Sequence, residues 1–243
     1  MLPTLMLACA PVEPRSPTEP TPTGDTGEPL PPPAPPTVRH QLCLNGAGAD
    51  EDGGNPFVTA LCEGLPNVLR NEGDPFFRTW ELRLAREAML EVLDTDGDGA
   101  VTDADEAVVD VLGYSWGGVN ATLIDLHAEP GVTSRRPLIG RMALIDPFVP
   151  PADEPLVLAG RVEALWSYRH TVAPPWDCSA EAFAGPYIGR PVDCSSVDGP
   201  CVEHDVSADR TVSHCSIVSE VAPYVRANLV DGTSTAPAVW VLP

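Results

Sequence analysis

Apolar residues along this chain gather into short unbroken runs, set apart by stretches rich in glycine, proline and acid. His40-Gln41-Leu42-Cys43-Leu44, Val108-Val109-Asp110-Val111-Leu112, Arg141-Met142-Ala143-Leu144-Ile145 and Val162 to His170 are runs of this kind. Their length and β-branched content predict strands, and the continuous apolar character is that of strands buried on both faces in a parallel sheet. Helical spacing separates them. Phe77 to Leu93 carries an apolar stripe of Trp80, Leu84, Ala88 and Leu90 to Val92, and Val119 to Leu126 reads as a second helix with small residues at its start. A polar turn, Thr211-Val212-Ser213-His214-Cys215-Ser216, opens a further apolar helix near the end.

Between the Val108 run and the Val119 helix lies Gly113-Tyr114-Ser115-Trp116-Gly117-Gly118. A serine flanked by glycines at this spacing, with a strand before and a helix after, can be held on a strained turn with its hydroxyl exposed. That makes Ser115 a candidate nucleophile. On these residues the chain, from about Val38 to Tyr224, resembles the α/β-hydrolase superfamily, and within it the secreted lipase- and esterase-like serine hydrolases. The resemblance implies an α/β fold with a mostly parallel central sheet flanked by helices, in a single domain. It also implies a Ser-acid-His order along the chain and an oxyanion hole of two backbone N–H groups. Trp116, directly after the serine, supplies the first of these. Gly46 or Ala47, in the turn Asn45-Gly46-Ala47-Gly48 after the first strand, would supply the second, although the family's usual His-Gly pair is Asn45-Gly46 here.

Two carboxylates compete for the acid, Asp146 as first choice and Asp177 as its competitor. Asp146 ends the Arg141 strand, on the side of an open α/β sheet where ligands bind. Asp177 follows the Val162 strand and its Pro174-Pro175 turn, where most members of the family carry the acid. Of five histidines, His40 precedes the serine and His127 lies near the end of the helix after it. His170, His204 and His214 remain. His214 lies where the family's base resides, with His204 as runner-up.

A second motif stands between the glycine turn and the serine. Asp94-Thr95-Asp96-Gly97-Asp98-Gly99-Ala100-Val101-Thr102-Asp103-Ala104-Asp105 places acids at positions one, three and five, glycine at six and an acid at twelve. Oxygen ligands at alternate positions wrap a hard cation, so Asp94, Asp96, Asp98, the Ala100 carbonyl and Asp105 form a candidate Ca²⁺ set. Aspartate at position twelve makes the loop similar to the calcium repeats of dockerin modules, and a single copy speaks against a paired docking domain. The expected role is a structural clip that pins the preceding helix to the Val108 strand.

Composition narrows the setting. Net charge is −21 with 14 Lys+Arg, which argues against nucleic-acid or anionic-membrane binding through a basic patch. Six body cysteines, Cys43, Cys62, Cys178, Cys194, Cys201 and Cys215, suit three disulfides in an oxidising compartment, and their spacing is not that of a zinc site. Residues 1–9, ending at Cys9, resemble a bacterial lipoprotein signal whose cysteine is lipidated, and residues 10–37 form a Pro/Thr/Glu-rich extended tether. The domain itself would span 38–243, with the calcium loop inserted at 94–105. Taken together, these features predict an exported cell-envelope or secreted serine hydrolase acting on a small or lipid-like ester. Membrane tethering would run through Cys9, and no obligate protein partner is implied. The competing reading is a non-catalytic, calcium-stabilised cell-surface binding module on the same scaffold.

Overall fold

The computed structural model describes residues 38–46, 55–148, 154–172, 188–209, 211–233, 236 and 240. Its centre is a five-stranded, all-parallel sheet in the order β1 (Arg39–Leu44), β2 (Val108–Tyr114), β3 (Ile139–Ile145), β5 (Val162–Arg169) and β7 (Cys201–Asp205). Two short strands, β4 (Leu156–Val157) and β6 (Val192–Asp193), pair separately. Chain order and spatial order coincide, so each crossover lays its connection over a neighbouring strand. The fold is α/β, with a parallel sheet covered on both faces, which is why its strands read as continuous apolar runs.

Each strand divides its side chains between two cores. Val109 and Val111 of β2, Met142 and Leu144 of β3 and Leu165 of β5 face one side. There they meet α2 (Leu82–Leu93) and α3 (Trp116–Thr122). Leu112, Tyr114, Ala143, Ile145, Trp166 and Tyr168 face the other, against α1 (Pro56–Glu63) and α4 (Ile217–Arg226). A disulfide from Cys43 of β1 to Cys62 of α1 ties that second layer to the sheet edge, and Cys194–Cys201 closes a short loop ahead of β7. Among the described residues no helix is long and apolar enough to cross a membrane.

Two helices depart from their sequence pattern. The face of α2 turned to the sheet is Ala85, Met89 and Leu93, a clean i, i+4, i+8 stripe, while Trp80 is 65% exposed and Leu84 is exposed as well. Trp80 belongs to a separate 3₁₀ turn, Thr79–Glu81, and so never joins the helix stripe. The helix after the serine starts at once, at Trp116, and stops at Thr122. Asp125 then accepts the His127 N–H and starts a distinct 3₁₀ turn, Leu126–Ala128, where the sequence suggested that one helix continues.

The acidic loop 94–105 is locked at the end of the sheet remote from Ser115. Val101 bridges to the 131–133 segment, Asp103 accepts from Ser134 Oγ (2.9 Å) and Arg135 N (2.7 Å), and Arg136 donates to the carbonyls of Asp105 and Ala107. Asp105 itself is buried. Its Oδ1 accepts from Thr95 N and Oγ1, both at 2.8 Å, and its Oδ2 from Thr102 N at 2.8 Å. Those bonds, that from Thr102 N first, outweigh burial and hold its carboxyl down to about 2. Its contribution to stability is therefore fully present above the ordinary carboxylate range and fades only as pH falls through about 2. Asp105→Ala leaves two loop N–H groups without their acceptor and is expected to cost about 1–3 kcal/mol. A urea midpoint measured at neutral pH in chelator checks this, and no change would show that the loop is not closed by Asp105.

Candidate active site

The turn at Ser115 is built from close backbone approach. Ser115 has φ 54° and ψ −123°, a conformation L-residues rarely adopt, and it persists because its neighbours over-determine it. Its N–H donates to Ile145 O (2.9 Å), and its carbonyl accepts from Gly118 N (3.0 Å) and Phe148 N (3.2 Å). The glycines are required by contact. A Cβ on Gly117 would lie 2.3 Å from Leu44 O and 2.5 Å from Asn45 O, and one on Gly113 would lie 2.6 Å from the Gly118 Cα. Gly113 and Gly118 let α3 settle onto β2, and Gly117 lets it settle against the end of β1.

The base arrives from the loop ahead of α4. His214 Nε2 lies 3.0 Å from Ser115 Oγ, and His214 Nδ1 lies 2.7 Å from Asp146 Oδ2. Tyr114 fixes the loop from below: its hydroxyl donates to His214 O (2.8 Å), and the two rings stack at 5.2 Å. Asp146 ends β3, the middle strand of the sheet, at φ 44°, and is wholly buried. Burial alone would raise its carboxyl; the hydrogen bonds from His170 and His214 prevail and bring it down to about 2. Being ionised, Asp146 can only accept. His214 therefore carries its proton on Nδ1 and turns the Nε2 lone pair toward the serine hydroxyl.

A third residue shares the acid, one the sequence did not single out. His170, directly after β5, donates its backbone N–H to Asp146 Oδ1 (2.9 Å), and its Nδ1 lies 2.9 Å from Oδ2. On its far side Nε2 lies 3.2 Å from Val212 O, two residues before His214. Burial works against its charge, but the bond to Asp146 prevails and its pKa is raised. The available signal was position: a histidine at the carboxyl end of the strand beside β3 falls on the ligand side of the sheet.

The structure brings Ser115, His214 and Asp146 together and separates others. Trp116, 40% exposed, is the first residue of α3, so its backbone N–H has no partner within the helix. The loop at Gly46 also reaches the site, since a Cβ there would lie 3.3 Å from Ser115 Oγ. The Gly46 N–H, however, donates to Asn45 Oδ1 (2.8 Å) and is taken up locally. Ala47 and Asp177 lie outside the described residues. His204 is no part of the site: it is buried on β7, stacked on Tyr168 at 4.7 Å, and burial lowers its pKa. Cys215, next to the base, is disulfide-bonded.

In the acidic loop, carboxylate oxygens of Asp94, Asp96 and Asp98 come within 4.8 Å of one another. Asp105 does not join them, because its oxygens are spent on Thr95 and Thr102, and Ala100 contributes a backbone N–H to Asp98 Oδ1 (2.8 Å). Of the residues read from the sequence, the carboxylates of Asp94, Asp96 and Asp98 are drawn together and that of Asp105 stands apart.

No protein-family model and no curated protein matches this chain. Among solved structures it is similar to a protein from Lactobacillus plantarum WCFS1, provisionally described as a cell surface hydrolase. The identity is 15% over 84% of this chain and 95% of that one, with a TM-score of 0.41. A YdeN-like hydrolase of Pectobacterium atrosepticum SCRI1043, also provisionally described, shares 11% identity over 79% of this chain and 93% of its own, with a TM-score of 0.34. At these values the reading of the site stands on its own geometry.

Gly117→Ala tests that geometry directly, because the added methyl meets two backbone carbonyls that cannot rotate away. Overpacking of this kind is expected to cost about 1–3 kcal/mol and to lift α3 from β1. Wild-type stability in thermal and urea melts would mean that α3 is not seated as described.

Proposed function

We propose that this protein is an exported serine hydrolase that cleaves an ester through an acyl-enzyme. The observation that carries the proposal is the continuous relay from Ser115 Oγ through His214 to a buried, ionised Asp146, at 3.0 and 2.7 Å. Ser115 Oγ attacks the ester carbonyl as its proton passes to His214 Nε2. The tetrahedral oxyanion is met by the Trp116 N–H together with a donor from the loop after β1. Collapse expels the alcohol, which takes the proton from Nε2. Water then enters, gives a proton to Nε2 and its hydroxyl to the acyl carbon, and the carboxylic acid leaves with Ser115 restored. Asp146 keeps its charge throughout and stabilises the imidazolium that forms.

A small or lipid-like ester suits the exposed indole of Trp116 beside the nucleophile, an apolar surface for the acyl or alcohol part. Export is supported by the disulfides Cys43–Cys62 and Cys194–Cys201 and by the bonded Cys215, which belong to an oxidising compartment. Cys9 would be the lipid anchor and the proline-rich stretch after it the tether. Asp94, Asp96 and Asp98 supply the hard oxygens a Ca²⁺ ion prefers, and an ion there would offset their mutual repulsion and stabilise the fold without touching the reaction.

Ser115→Ala should abolish hydrolysis of p-nitrophenyl esters, a loss on the order of 10⁶ in turnover, and with it labelling by a fluorophosphonate probe. A folded variant that still turns over at the wild-type rate would refute the nucleophile. Wild-type protein that is neither labelled nor active would favour the binding-module reading. Asp146→Asn should lower turnover by about 10⁴, because the amide favours the wrong imidazole tautomer.

Calcium should raise the melting temperature, and Asp94→Ala with Asp98→Ala should remove that increment. Asp94 also accepts the N–H groups of Gly97, Asp98 and Gly99. The measurement is therefore the calcium-dependent rise in each protein, not its absolute melting point. No rise in wild type would leave the loop a hydrogen-bonded acidic turn.

A further inference from the structure

We propose that His170 is a positioning residue of the site, a doubly protonated imidazole that clamps the acid to the loop carrying the base. The inference rests on the Ser115-His214-Asp146 reading. His170 Nδ1 faces a carboxylate oxygen at 2.9 Å and Nε2 faces the Val212 carbonyl at 3.2 Å, and neither partner can donate. A neutral ring has one N–H. With the proton on Nδ1, the Nε2 lone pair would point at the Val212 carbonyl; with it on Nε2, the Nδ1 lone pair would point at a carboxylate. Only the imidazolium satisfies both contacts in a residue that is 1% exposed, where an unmade hydrogen bond is costly.

The surroundings favour that charge. Asp146 faces the ring from the end of β3, and Asp205 at the end of β7 adds a further attraction. His214 is the other titratable group on the same oxygen, Asp146 Oδ2. Arg169, the neighbouring cation, is turned away to Glu203 at 3.1 Å. With its backbone N–H on Oδ1, its Nδ1–H on Oδ2 and its Nε2–H on Val212 O, His170 joins three parts: the end of β5, the acid, and the Val212-Ser213-His214 segment. Rotation of the Asp146 carboxylate would break at least one of these bonds. The orientation of the acid is thereby set before His214 is added, and so is the height of the loop from which His214 hangs.

The clamp has a defined pH range. The folded-state pKa of His170 lies above its ordinary value, so its contribution is complete below that ordinary value and is lost as pH rises through the raised one. Above that point one contact becomes repulsive, and the acid or the Val212 loop must shift. A misplacement on the scale of 1 Å can cost on the order of 10²-fold in rate.

The test has two independent arms. In wild-type protein labelled with ¹⁵N-histidine, His170 should show two protonated ring nitrogens at neutral pH. That signature should persist above the ordinary histidine range. A neutral single tautomer at pH 7 would overturn the proposal, and this arm needs no variant to fold and no turnover. In the second arm, His170→Phe should lower kcat for a p-nitrophenyl ester about 10²-fold with KM changed less than about twofold. His170→Asn keeps a donor at the Nδ1 position toward Asp146 and should recover part of the loss. Its rate profile should lack the alkaline fall expected of wild type. Wild-type kcat with an unchanged profile in His170→Phe would overturn the positioning role. Failure of the fluorophosphonate to label wild-type Ser115 would instead defeat the catalytic reading, with the state of the His170 ring still read by the first arm.

Discussion

The buried charge of Asp146 organises the candidate site. Asp146 stands at the end of the middle strand with no solvent contact, and a carboxylate in such a place must be matched by donors or it will take up a proton. It is matched by three: one backbone N–H and two imidazoles, drawn from the end of β5 and from the loop before α4. Satisfying the charge therefore fixes where those two segments can lie. The parallel register makes this possible, since Ile145 of β3 pairs with Tyr168 of β5, and the residues after each strand emerge side by side.

The second constraint is steric and belongs to the serine. Ser115 is held at positive φ by backbone hydrogen bonds to the neighbouring strand end and to its own helix. The turn can be this tight only because no side chain stands at Gly113, Gly117 or Gly118 where α3 meets β1 and β2. Strain at Ser115 is thus maintained by packing on three sides, and the outcome is a hydroxyl within reach of His214. Charge satisfaction places the base and acid; close packing places the nucleophile. The two meet at the carboxyl edge of one sheet.

The opposite edge has its own fastening. The acidic loop joins the end of α2 to the start of β2 and is bonded through Asp103 and Arg136 to the segment leading into β3. The strands fastened there, β2 and β3, are those that carry Ser115 and Asp146 at their other ends. Holding them together where they begin helps to preserve their register where the polar groups converge. This physical link between the loop and the site involves no shared ligand.

What the amino-acid sequence determined by itself was everything written in short-range pattern. Buried parallel strands appear as unbroken apolar runs because both faces are covered, and the serine turn announces itself because its glycines are demanded by contacts within a strand-turn-helix unit. Chain order brought Asp146 and His214 forward, but left Asp177 and His204 beside them, because order along a chain does not say which strand ends are neighbours. Tertiary structure decided the rest. His170 reaches Asp146 only through the pairing of β5 with β3, and a lone histidine carries no sign of that in its own neighbourhood. Asp105 matches a ligand position in the loop pattern, yet its oxygens take up the N–H and hydroxyl groups of Thr95 and Thr102. Trp80 fits a helical stripe by spacing but lies in the 3₁₀ turn Thr79–Glu81 ahead of the helix, whose buried face is Ala85, Met89 and Leu93. Periodicity is a property of neighbours along the chain. The matching of buried charges and the choice of which face is covered depend on segments distant in sequence, and only folding brings them together.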